Sequence, residues 1–342
     1  MFLQALSCKV PEYSFTQDEC WDIFEQSRAA ETVTDRSKGI LEKVLKGDSG
    51  IDKRHFAVND IESLFDRDAE RLNHDFEAHA PELAASALTE ALEKAGRKAS
   101  ELDALFVCTC SGYLCPGLSS YVSELLGIKQ DAYLQDIVGL GCGAAIPTLR
   151  SAHNLIKADP TSTVAVIAVE ICSAAFYLDN NPGVLISLCL FGDGASASIW
   201  NGRPGPSQLK ATGFDTLHLP EDRELLRFIN RGGKLRNKLH KTVPEKASNA
   251  VMELFERQNL SSDQYIISHA GGRDVLEAIN RKLKQHPLTE ATNVLRNFGN
   301  MSSPSVLFAL DDFFEGDGKD ESLWLTSFGA GFAAHSMQLE KT

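Results

Sequence analysis

The sequence predicts an α/β protein made of two similar halves, and three observations lead there. Short apolar strands alternate with helices along most of the chain. One strand, Val164–Val169, is apolar at every position, as a strand covered on both faces must be. After a Gly/Pro-rich break at 201–208 the alternation begins again, dividing the chain into halves 1–202 and 203–342. The 342 residues suit such a two-lobed unit.

Residues 2–6 read as a first strand. Thr16-Gln17-Asp18-Glu19 is a capping-box pattern ahead of the apolar Trp21, Ile23 and Phe24. A charge-rich helical stretch is expected from about 30 to 78. A helix follows from Pro81 to Lys98, with Leu83, Ala84, Ala87, Leu88, Ala91, Leu92 and Ala95 on one stripe. Then come strand 105–109, helix 119–126, strand 132–138, helix 142–156, strand 164–169 and strand 195–200. The second half shows strand 265–268, helices 275–283 and 302–314, and closing strands 323–326 and 332–339.

Thirty-four basic and 47 acidic residues leave a net charge of −13, which repels phosphate backbones and argues against nucleic-acid binding. The eight cysteines all precede residue 190. In a chain this large they read as reduced thiols rather than a disulfide framework. Met1–Leu6 has no basic segment or long apolar run, and no stretch approaches the ~20 apolar residues of a membrane span. A soluble, cytoplasmic protein is expected.

Three places can carry chemistry. Gly139-Leu140-Gly141-Cys142-Gly143-Ala144-Ala145 joins a strand to a helix through a tight turn that exposes one side chain. A cysteine there has its thiolate favoured by free N–H groups and the helix dipole. A cysteine alone reads as a structural thiol; the glycines shift that balance. His269 ends the apolar strand Ile266-Ile267-Ser268 before Gly271-Gly272, so it faces a cavity or fills the core. Asn300, in Phe298-Gly299-Asn300-Met301-Ser302-Ser303, is a helix cap or an amide donor to an oxyanion.

Other signals are weaker. Cys108, Cys110 and Cys115 lack a second spaced pair and begin inside a strand, so no metal site is expected. Phe191-Gly192-Asp193-Gly194 is too short to identify a phosphate loop. Lys38, Lys43, Lys46, Lys53 and Arg54 form a basic cluster, either a solvated helix face or an anion site.

In order, the segments Cys108-Thr109-Cys110-Ser111-Gly112, Pro116-Gly117, Gly141-Cys142, Phe191-Gly192-Asp193-Gly194-Ala195, His269-Ala270-Gly271-Gly272, Gly299-Asn300-Met301-Ser302-Ser303 and Phe328-Gly329-Ala330-Gly331 resemble the chalcone synthase-like family. These are the type III polyketide synthases, within the thiolase fold superfamily. The resemblance runs from about Leu102 onward and implies a thiolase-like fold, two α/β halves forming a layered αβαβα core. It makes Cys142 the acyl-accepting nucleophile and His269 and Asn300 its triad partners. It places Phe191, Cys110, Ser111, Cys172, Ala175, Asn237, Ser302, Gly329 and Gly331 around a substrate cavity, with Phe191 as a gate.

Several departures bear on the substrate. Cys110 and Cys172 stand where plant members have threonine, and Ala330 replaces a proline. Ala175 replaces another threonine, and Asn237 falls where a second gating phenylalanine belongs. More room and a less polar wall near Cys142 would favour medium or long acyl chains over acetyl. Leu41, Val44 and Asp48 occupy the family's basic CoA-binding positions, leaving Lys43, Lys46, Lys53 and Arg54 as the nearby entrance cations.

The implied activity is a bacterial-type decarboxylating acyltransferase. An acyl starter on Cys142 is extended from a malonyl thioester by Claisen condensation and cyclised to a resorcinol, phloroglucinol or pyrone. The resemblance implies no cofactor beyond the substrates acyl-CoA and malonyl-CoA, with acyl carrier protein as the other thioester donor, and a homodimer. The alternative is a ketoacyl-ACP synthase III-like enzyme performing one condensation. A thiolase would need a second cysteine near the C-terminus, and a papain-like protease a different cysteine setting. A catalytically silent scaffold would not need all three residues.

Overall fold

The computed structural model describes every residue except 59, 261–263, 284–285, 317 and 319. Among the described residues a nine-stranded sheet runs in the order Tyr265–Ser268, Ser322–Gly329, Ala333–Lys341, Leu209–His218, Phe2–Lys9, Gly194–Asn201, Val164–Glu170, Ala104–Thr109 and Tyr133–Val138. The first four strands follow residue 208 and the other five precede 202. The ladder between the two groups is the single pair Phe2–Lys210.

Helices Ala145–Ala158 and Ser305–Glu315 lie between the two groups, and each touches strands of both. Ala69–Ala95 and Leu118–Leu126 cover the outer face of the first group, and Val243–Arg257 that of the second. The layers are therefore αβαβα, in a thiolase-like fold. Strands covered on both faces explain the apolar runs: Ala104–Thr109 and Val164–Glu170 are buried at every position. No helix of the described residues is long and apolar enough to cross a membrane.

The 30–78 region is not one helical stretch. It holds helix Asp35–Leu45, strand Lys53–His55 and the start of helix Ala69–Ala95. That long helix begins well before Pro81, where Asp68 accepts from Arg71 N–H, and ends at Gly96 in the left-handed conformation. Helix Ser305–Glu315 starts after Ser302, whose φ of 60° is incompatible with a helical start there. Residues 202–208 form the loop between strands Gly194–Asn201 and Leu209–His218.

Arg54 corrects one expectation. Strand Lys53–His55 pairs with Ser14–Thr16, and strand alternation sends Lys53 to solvent and Arg54 into the protein. Arg54 is 1% exposed. Its guanidinium donates to Gln17 Oε1 at 2.9 Å, Leu188 O at 2.7 Å and Phe191 O at 2.8 Å, and lies 4.9 Å from the Phe56 ring centre. It is an internal clamp, not an entrance cation. Removing it leaves several buried acceptors without donors, so Arg54→Met should destabilise the protein by on the order of 2–4 kcal/mol. Urea unfolding measures this; a loss under about 1 kcal/mol would contradict the clamp.

Candidate active site

Strand Tyr133–Val138 leads into a single 3₁₀ turn, Gly141–Gly143, ahead of helix Ala145–Ala158. Cys142 sits on this turn, half-buried. Gly141 has φ of 59°, which glycine tolerates and other residues resist. The end of strand Ser322–Gly329 presses on the turn: a Cβ on Gly329 would lie 2.6 Å from Gly143 N and 3.0 Å from Cys142 N. Backbone against backbone thus fixes where the cysteine stands.

His269 follows strand Tyr265–Ser268, its N–H bonded to Thr326 O at 2.9 Å. The ring is buried edge-on to Phe328, with centroids 5.1 Å apart, and Nδ1 has no hydrogen-bond partner among the described residues. Asn300 is held at both ends. Its N–H donates to Leu190 O at 2.9 Å, and its carbonyl accepts from Gly192 N–H at 3.1 Å, bridging it to Phe191. Its side chain donates from Nδ2 to Gly271 O at 3.1 Å and accepts at Oδ1 from Ser302 N–H at 2.7 Å.

Ser302 completes the link. Its hydroxyl donates to Cys142 Sγ at 3.3 Å and lies 3.1 Å from Cys110 Sγ. A chain of contacts therefore runs from Cys142 through Ser302 and Asn300 to Gly271, two residues from His269. Burial pushes the Cys142 thiol up to about 11; the Ser302 hydrogen bond opposes this and the charge of Glu170 adds to it. The thiolate expected at a helix start is therefore not the resting form, because desolvation outweighs the turn's N–H groups. Burial alone pulls His269 down to about 3, so the imidazole is neutral. Together the residues present a protonated sulfur, a neutral imidazole and a primary amide.

Glu170, at the end of the apolar strand, carried no signal of a role in the sequence. It is fully buried and accepts from Cys110 N–H and Ser111 N–H at 2.9 Å each, Thr109 Oγ1 at 3.2 Å and Ser303 Oγ at 2.6 Å.

A cavity of about 500 Å³ lies beside the Gly141–Gly143 turn. Cys110, Ser111, Ala175 and Gly331 line it, as does Gly141. Cys142, Cys172, Phe191, Ser302 and Gly329 are not in its wall: Cys172 is buried in the turn Cys172–Ala175, and Phe191 packs 6.3 Å from the Phe228 ring. Asn237 does not line this cavity. It is buried, with Nδ2 donating to Ser187 Oγ at 3.0 Å, and its cross-strand partner is Phe228. Phe228 does line the cavity, so a ring missing at 237 is supplied from the paired strand. Of the room expected near Cys142, only that from Ala175 remains. Lys43 and Lys46 are exposed on and just after helix Asp35–Leu45, and Lys53 is exposed on its strand.

The chain matches the family model for the N-terminal domain of chalcone and stilbene synthases over residues 2–204, and that for their C-terminal domain over 219–340. It is 29% identical over 328 residues to the 3,5-dihydroxyphenylacetyl-CoA synthase of Streptomyces toyocaensis, covering 90% of this chain and 80% of that one. It is 26% identical over 336 residues to the 1,3,6,8-tetrahydroxynaphthalene synthase of Streptomyces griseus, covering 95% and 88%. The fold matches the crystal structure of the 1,3,6,8-tetrahydroxynaphthalene synthase of Streptomyces coelicolor A3(2), a bacterial type III polyketide synthase. The TM-score is 0.89 at 24% identity, over 100% of this chain and 99% of that one.

The neutral state of His269 has a consequence for stability. A solvated imidazole takes a proton near pH 6.5 and the buried one only near 3, so the unfolded chain binds it first. Unfolding free energy therefore falls as pH drops from about 6.5 towards 3, by up to ~1.4 kcal/mol per pH unit for this group. Asp193 and Asp311, raised to about 6 by burial, act with the opposite sign below that pH. They are common to wild type and variant. Urea unfolding between pH 7 and 5 should show His269→Gln losing less stability than wild type; parallel losses would contradict a buried neutral imidazole.

Proposed function

This chain belongs to the chalcone and stilbene synthase family, the type III polyketide synthases, and we propose that Cys142 is its acyl-accepting nucleophile, with His269 and Asn300 as donors to the reacting oxygen. The observation that carries the reading is the convergence of three distant segments. The cysteine turn, the end of strand Tyr265–Ser268 and the Asn300 loop are joined through Ser302 and Gly271.

In loading, Cys142 Sγ attacks the carbonyl carbon of an acyl-CoA. The thiol proton passes to neutral His269, and CoA thiolate leaves and takes a proton in turn. A malonyl-CoA then sets its thioester oxygen between His269 Nε2–H and the Asn300 amide, whose second N–H is free of the Gly271 bond. The C–C bond to the carboxylate breaks, CO₂ leaves, and the electron pair becomes an enolate held by the two donors. Its carbon attacks the Cys142 thioester, a new C–C bond forms and the sulfur is released. Repeated extension and ring closure give an aromatic or pyrone product. These steps call on no metal or redox cofactor.

We further propose a homodimer that includes the free edge of strand Tyr133–Val138, where Tyr133 and Val138 are large exposed apolar residues.

The reading is tested by incubation with malonyl-CoA and a panel of acyl-CoAs, followed by mass spectrometry. Products of more than one two-carbon extension are expected. A single uncyclised condensation product would instead indicate ketoacyl-ACP synthase III-like chemistry. His269→Ala and Asn300→Ala should each slow CO₂ release by roughly 10²–10³, while Asn300→Ala still takes up the starter. Undiminished CO₂ release in both variants would contradict the assigned roles.

A further inference from the structure

The cavity beside Cys142 has a charge pattern that the reaction above does not use. Much of its wall is apolar, with Leu72, Phe76, Phe228 and Leu235, yet Arg223 and Arg227 lie in the same wall. Arg223 belongs to the turn Pro220–Leu225, and Arg227 to strand Leu226–Arg231 of a hairpin closed by Lys234–Leu239. Both arginines share one acid. Glu224 lies 2.6 Å from Arg227 Nη1, 3.3 Å from Arg223 Nε and 2.9 Å from Lys238 Nζ. Lys238, and then Arg227, hold its carboxyl down to about 2. One negative charge thus faces three positive ones.

No other acid of the hairpin restores the balance. Residues 226–239 contain Arg227, Arg231, Lys234, Arg236 and Lys238 and no Asp or Glu, in a chain of net charge −13. Asp179 offsets Arg236 at 2.6 Å, and Asp222 is taken by Lys246 at 2.8 Å. Among the described residues Nη1 is the one nitrogen of Arg227 in a hydrogen bond, so its remaining N–H groups have donor capacity to spare.

We infer that this wall binds the far end of an acyl starter ending in a carboxylate, and that Arg227, with Arg223 beside it, is a specificity-determining residue of the cavity. The inference rests on the acyl-transfer reading above. Cys142 is not itself in the wall, but Gly141 precedes it in the chain and Cys110 shares the Ser302 hydroxyl with it, so an acyl chain carried on that sulfur starts one residue from the cavity. The apolar residues suit the methylenes of such a chain. A planar guanidinium suits a carboxylate better than any neutral chain end, since it offers two parallel N–H donors and a charge. The substrate class is therefore an ω-carboxyacyl thioester, and plain alkyl chains leave the guanidinium groups unmatched.

The test compares kcat/KM for starters matched in length, with malonyl-CoA as extender. The pairs are succinyl with butyryl-CoA, glutaryl with pentanoyl-CoA and adipyl with hexanoyl-CoA. Wild type should prefer the carboxylated member of at least one pair by roughly tenfold. Arg227→Met should abolish that ratio, Arg227→Glu should invert it and Arg227→Lys should keep part of it. Three results would overturn the proposal while leaving the family reading intact. One is a wild type that favours the neutral member of every pair. Another is a ratio that neither Arg227→Met nor Arg227→Glu changes. The third is an equal loss for both members of a pair in Arg227→Met, which would assign Arg227 to the phosphates of CoA. Absence of any extension product from every starter would overturn the acyl-transfer reading and this inference with it.

Discussion

The carboxylate of Glu170 is shut away from water and held by the backbone of Cys110 and Ser111, the hydroxyl of Thr109 and the hydroxyl of Ser303. Burying a charge is costly unless every lone pair is occupied, so these partners have little freedom to move. Two loops become one rigid wall as a result. Cys110 and Ser111 belong to the cavity, and Ser303 follows the Asn300–Ser302 segment that reaches Cys142. The same charge adds to the burial that keeps the neighbouring thiols of Cys110, Cys142 and Cys172 protonated.

A second constraint acts from the opposite side. The end of strand Ser322–Gly329 lies against the Gly141–Gly143 turn with no room for a side chain at Gly329. Behind the Asn300 segment, Arg54 grips the carbonyls of Leu188 and Phe191, and Asn300 is itself bridged to Phe191 at the end of helix Pro182–Leu190. The Cys142 thiol, the Asn300 amide and the Phe191 ring thus derive their positions from buried polar side chains and close backbone contact. With both Cys142 and His269 uncharged at rest, the charge that the proposed reaction creates on its oxygen meets fixed donors in a desolvated setting, where they are most effective.

Much of this was legible in the sequence, for a physical reason. Cys142 sits ahead of a helix start, His269 at a strand end and Asn300 just after a helix end, each among glycines, and such signals are local. Apolar strands buried on both faces were equally plain. Glu170 was not legible, because its partners Ser111 and Ser303 lie 59 and 133 residues away. Arg54 declared its charge but not its direction, which depends on pairing between Lys53–His55 and Ser14–Thr16. Asn237 marked a missing ring. The ring that replaces it, Phe228, comes from the opposite strand of a hairpin whose register only the fold reveals. The 30–78 stretch read as helical because polar residues hid a short edge strand.

The proposed reaction depends most on Cys142 Sγ carrying the chain, with a cavity thiol, Cys110, close by as an internal rival. Intact-protein mass spectrometry after incubation with an acyl-CoA separates the two. Wild type and Cys110→Ala should each gain one acyl mass, mapped to the peptide containing Cys142, and Cys142→Ala should gain none. A Cys142→Ala protein that is still acylated and still forms product would contradict the account.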